Sequence, residues 1–216
     1  MTLEKTLVIS ASIFAMLCMP LLATDNLVAK PRGVEPQAVE KIADEVKAAK
    51  AKIEKLKKNF NISTDTFTNV KSYTHKRAKL WVGIYWSKFP VPIIIGDHLV
   101  LLINLNQNIQ PKTIIIKIAD MVTTYDIELI RTDFIGNHYL NRYLPNDQLF
   151  RYIASHAREI KSNGINIRYS GSDNYMDRYS DSKSRWAIRK ENEIMLEFII
   201  ETLELYDALQ ILKKDS

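Results

Sequence analysis

"LVLLINL", residues Leu99–Leu105, is apolar at every position except Asn104. A strand with one wet face alternates apolar and polar side chains, so an unbroken apolar run of this length belongs to a strand covered on both faces. It therefore reads as a central strand. Around it stand further segments rich in β-branched and aromatic residues: Lys79–Trp86 (KLWVGIYW), Ile93–Ile95, Thr113–Ile118 (TIIIKI) and Tyr125–Arg131 (YDIELIR). Turn-forming residues separate them at Phe89–Pro92, at Gly96 with Asp97, at Asn104–Pro111 and at Ala119 with Asp120. Parallel strands need crossovers of a dozen residues or more, and these connections are shorter. The sheet is therefore expected to be antiparallel.

Towards the C-terminus, Asn146 after Pro145 offers a helix N-cap and Gly164 a helix stop, with Leu149, Phe150, Ile153, Ala157 and Ile160 on the inner face between them. Ile165–Tyr169 reads as one more strand. A polar loop, GSDNYMDRYSDSKSRW, leads from Gly171 into a helix that starts at Ser182 and runs to the end of the chain. Its apolar positions, from Ile188 through Met195, Phe198, Ile199, Thr202 and Leu205 to Leu212, are flanked by Glu193, Glu197, Glu201, Glu204 and Asp207.

Towards the N-terminus, Val39, Ile42, Val46, Ala49, Ile53, Leu56 and Phe60 follow one another in alternating steps of three and four. This is a heptad seam on an amphipathic helix spanning 36–61, with Pro36 in its first turn. Two arrangements satisfy it. One is a homo-oligomer joined through Val39, Ile42, Val46, Ile53 and Leu56; the other is a helix docked on its own domain. Lys47, Lys50, Lys52, Lys55, Lys57 and Lys58 would repel one another in a parallel homodimer but would complement the glutamates of the C-terminal helix, so the two long helices are expected to pack together.

Residues Thr6–Ala23 (TLVISASIFAMLCMPLLA) carry no charge and follow Lys5. The segment lies between the apolar region of a secretory signal and a membrane span in length. It is read as a signal peptide cleaved near Ala23, or else as an inner-membrane anchor, with 24–35 as a linker. Cys18, the only cysteine, lies inside it. A chain cleaved at Ala23 has neither disulfide nor thiolate chemistry.

Hydrophobic residues at 46% with 25% charged place the remainder among globular proteins, and the net charge of +5 favours anionic partners slightly. Asp173, Asp177 and Asp181 are spaced four apart without the glycine and terminal glutamate of a calcium loop. They read as a solvated loop with Asp181 or Ser182 capping the final helix. His75, His98, His138 and His156 show no metal-ligand spacing, His156 falls on an inner helix face, and His138 in GNHYLNRY falls in an expected loop. No nucleophile elbow or phosphate-binding glycine loop occurs. No metal or cofactor is expected. The rings of Trp81, Tyr85 and Trp86 among cations are assigned to sheet packing, and export argues against nucleic acid. A second cluster of Arg168, Tyr169, Tyr175, Arg178 and Tyr179 combines the residue types favoured as interface anchors, and is taken as the binding surface.

The expectation is an α+β domain at 62–216, an antiparallel sheet packed with helices and preceded by the signal or anchor segment and the amphipathic helix. Its expected role is non-enzymatic binding or assembly in the bacterial envelope, periplasmic or secreted, with an envelope protein or anionic surface as partner. The alternatives are an exported hydrolase using His138 or Asp173 and Asp177, and a peripheral protein binding anionic lipid through its lysine-rich helix.

Overall fold

A computed structural model describes residues 36–78, 90–105, 110–135, 138–145, 147–172, 175–178 and 185–214. The leader, the linker, the aromatic segment Lys79–Trp86, Asp173, Tyr179 and Asp181 lie outside them. The chain runs α1 (Pro36–Lys57), β1 (Phe60–Thr64), β2 (Lys71–His75), β3 (Val91–Ile95), β4 (His98–Leu105), β5 (Thr113–Ile118), β6 (Met121–Ile135) and β7 (His138–Pro145). Then follow α2 (Asp147–Ser155), α3 (Ala157–Asn163), β8 (Asn166–Ser170), β9 (Tyr175–Arg178) and α4 (Arg185–Lys214). The protein is α+β, with antiparallel strand pairing and a long C-terminal helix.

The nine strands follow the order β1-β2-β3-β4-β7-β6-β5-β8-β9. β6 joins two halves of the sheet: Met121–Asp126 pair with β5, whereas residues from Ile127 to Ile135 pair with β7. Within the part paired with β7 the register shifts between Leu129 and Arg131, so Ile130 is the extra residue of a bulge. β4 lies between β3 and β7 with Leu99, Leu101 and Ile103 buried on one face and Val100 and Leu102 on the other. That is the two-sided burial its sequence implies.

α4 packs on β2 and β3 and against α1, which also touches β1. The expected pairing of the two long helices thus occurs within one chain. Val46, Ala49, Ile53 and Leu56 are buried in it, while Ile42 remains 51% exposed. Lys52 Nζ lies 3.4 Å from Glu204, and α1 runs antiparallel to α4. The helix ends at Lys57 rather than 61, because Asn59 N–H closes a turn onto Leu56 O and Phe60 already begins β1. Thr202, buried on α4, satisfies its hydroxyl by donating to Phe198 O at 2.6 Å.

Three further expectations are corrected. His138–Pro145 is not a loop but β7, an interior strand bonded to β4 on one side and β6 on the other. Its polar members Asn141 and Arg142 masked the pattern, although Asn141 is buried and accepts a hydrogen bond from Thr132 at 2.7 Å. The helix expected between Asn146 and Gly164 is two helices, α2 and α3, jointed at His156 (φ −100°, ψ 23°), whose N–H still reaches Tyr152 O at 3.2 Å. Gly164 ends α3 at φ 80°, as its lack of a side chain allows. The aspartate run is not all loop, since Tyr175–Arg178 forms β9 on the edge of the sheet.

Candidate binding surface

Alternation along β8 decides which side chains of the expected binding cluster reach solvent. Ile167 and Tyr169 are buried beneath the sheet, and Asn166, Arg168 and Ser170 point the other way. Tyr169, completely buried, therefore belongs to the core and is corrected as a contact residue. Arg168 stands opposite Asp177 of β9, and Ser170 stands opposite Tyr175. Arg178 stands opposite Ile167, and Tyr179 lies outside the described residues.

Arg168 and Asp177 form a two-pronged ion pair, Nε to Oδ1 at 2.5 Å and the second guanidinium nitrogen to Oδ2 at 2.7 Å. The guanidinium also lies over the Tyr175 ring, 4.4 Å from its centre. Such a fork fixes both groups and holds the ring flat against the cation. Asp177 is thereby committed to Arg168, which leaves it a poor candidate for acid or base chemistry.

The ladders extend this face across four strands. One outward row runs Thr124, Ile115, Arg168 and Asp177; the next runs Asp126, Thr113, Ser170 and Tyr175; a third runs Val122, Lys117 and Asn166. The helices occupy the opposite side, where Tyr152 of α2 meets Tyr125 of β6 with ring centres 6.0 Å apart and α3 packs on β5. Outward, Tyr175 is 62% and Val122 61% exposed, and the bulged Ile130 and nearby Leu144 are also exposed. A sheet face that no helix among the described residues covers, carrying large apolar side chains among paired charges, is suited to a macromolecular partner.

A second polar cluster lies at the junction of α1, β2 and α4. His75 is buried, its Nδ1 accepting the Arg77 backbone N–H at 3.2 Å. Its Nε2 therefore carries the hydrogen and donates to Glu201 Oε2 at 3.0 Å, which also accepts from Asn59 Nδ2 at 2.8 Å. The ring packs edge-on against Phe60, 5.1 Å between centres. Beside it Arg77 pairs with Glu197, and a groove of about 400 Å³ is lined by Lys55, Lys58, Asn59, Glu197, Glu201 and Glu204. With both ring nitrogens engaged, His75 has no lone pair for proton abstraction. The cluster joins helix to sheet.

Sequence reasoning passed over His75 because its partners lie far away in the chain, 126 residues for Glu201. His138 lies on β7 at the register position opposite Ile135. His156 bonds Tyr152 O through Nδ1 at 2.8 Å. Among the described residues, no group of three or more His, Cys, Asp or Glu side chains gathers as metal ligands do. No family model matches the chain, and comparison with curated proteins and with solved structures finds no match.

Proposed function

We propose that this chain is an exported or membrane-tethered envelope protein with a non-enzymatic binding or assembly role, and that it receives a protein partner on the open face around β8 and β9. The observation that carries this reading is the Arg168–Asp177–Tyr175 arrangement on that face. It is a preorganised cation and ring of the kinds that dominate interface energetics, placed at a sheet edge where a partner's backbone can also pair. The apolar leader supports export or tethering.

The test is a doubly substituted chain, Val122→Glu with Tyr175→Glu, expressed at native level beside the parent. Both positions are exposed, so the fold should persist, checked by circular dichroism. The variant is expected to fractionate with the envelope as the parent does but to lose its specifically co-purifying protein by tenfold or more, about the effect of one or two lost anchors. An unchanged set of co-purifying proteins would refute the assignment of this face.

A further inference from the structure

We propose that one end of the molecule, at the β1–β2 turn, docks on a lipid bilayer. This rests on the membrane-tethered form of the proposed function. Phe67 at the turn is 96% exposed, an unusual state for a ring on an ordered turn. The turn is closed by Asp65, whose Oδ1 accepts the N–H groups of Phe67 and Thr68, both at 2.9 Å. Asp65 N–H reaches Val70 O at 3.0 Å and Asn69 N–H reaches Asp65 O at 2.9 Å, with Asn69 in the left-handed region at φ 57°. These backbone bonds hold the carboxyl of Asp65 below its ordinary range and keep the ring presented to solvent.

Other elements bring apolar and cationic side chains to the same end. Gly96 N–H bonds Lys71 O at 2.8 Å, which sets the β3–β4 turn beside the β1–β2 turn. Asp97 of that turn pairs with Lys213 and accepts Gln210 Nε2 on its backbone oxygen at 3.1 Å, which adds the end of α4. Because α1 is antiparallel to α4, its first turns point this way too. From Lys52, opposite Glu204, back to Pro36 is roughly 24 Å of helix, about 9 Å more than α4 has left. Ile42, Ile62, Val70 and Ile211 are exposed on these elements, with Lys41, Lys71, Lys213 and Lys214 near them. Asp97 takes up Lys213, and Asp44 and Glu45 are exposed on α1 beside Lys41, so charges of both signs line this end.

A projecting ring with exposed aliphatic side chains behind it suits the interface of a lipid bilayer. The uncharged stretch Thr6–Ala23 is followed by twelve residues that reach Pro36, a span of at most about 40 Å. A chain tethered through that stretch brings this end to the membrane, and leaves the sheet face available to a protein.

The test uses the full chain with Cys18→Ser and a single fluorescent label, at Phe67→Cys or, as control, at Thr124→Cys on the sheet face. Reconstituted with phosphatidylglycerol vesicles containing nitroxide lipids, the label at 67 is expected to be strongly quenched and that at 124 to be unaffected. Flotation of the protein with both labels unquenched overturns the docking proposal and leaves the tether standing, whereas a chain that does not float refutes both. Emission at 67 that changes with protein concentration in the absence of lipid assigns the patch to a second copy and likewise overturns the proposal.

Discussion

Tyr143 shows how a single residue can mark a pH limit for the fold. It is fully buried on β7, its hydroxyl has no hydrogen-bond partner among the described residues, and burial pushes its ionisation well above the ordinary value near 10. The folded protein holds this proton more tightly than the unfolded chain does. Its contribution to stability is therefore intact below about pH 10 and is lost as pH rises beyond, by up to about 1.4 kcal/mol per pH unit. Tyr143→Phe, which removes an unsatisfied hydroxyl without changing the ring, is expected to stay within about 1 kcal/mol of the parent at pH 7 and to weaken the alkaline loss. Denaturant titrations at pH 7 and pH 11 check both; an unchanged alkaline slope would assign the loss to Tyr125 and Tyr206, whose ionisation is also raised. Residue types alone could not place such groups. Arg168 and Tyr175 fall on the outer face, but Tyr169 beside them was not separable from them until the pleat assigned it inward.

At the scale of elements, sequence pattern was most informative where burial is simple. TIIIKI and LVLLINL became β5 and β4, and the long helices with opposite charge found each other as α1 and α4. It failed at β7, where Asn141 and Arg142 interrupt the apolar pattern, and at β9, a four-residue edge strand held by a side-chain ion pair. The heptad seam was legible in period, while charge rather than period pointed to α4, because a period of 3.5 says which face is buried and not against what. Packing on α4 now divides that seam. Ile53→Ala is expected to cost about 2–4 kcal/mol by opening a cavity against α4, whereas Ile42→Ala should change stability by less than about 0.5 kcal/mol. Urea denaturation measures both, and equal costs would mean that α1 buries Ile42 in an assembly of several chains.

Over the whole molecule, helices cover one side of the β5–β6–β8–β9 sheet and leave the other open, while the β1–β2 turn extends Phe67 at an end of its own. The sequence foretold a sheet packed with helices, yet not which face stayed open, because that depends on where helices distant in the chain return. The central claim is that the open face receives a protein partner in the envelope. Its most direct test is photo-crosslinking in intact cells from a probe placed at Tyr175, compared with one at Glu54, which is exposed on α1 away from that face. The account predicts a discrete crosslinked protein from position 175 and none from position 54. The same adducts from both positions, or none from 175 in cells where the protein reaches the envelope, would contradict it.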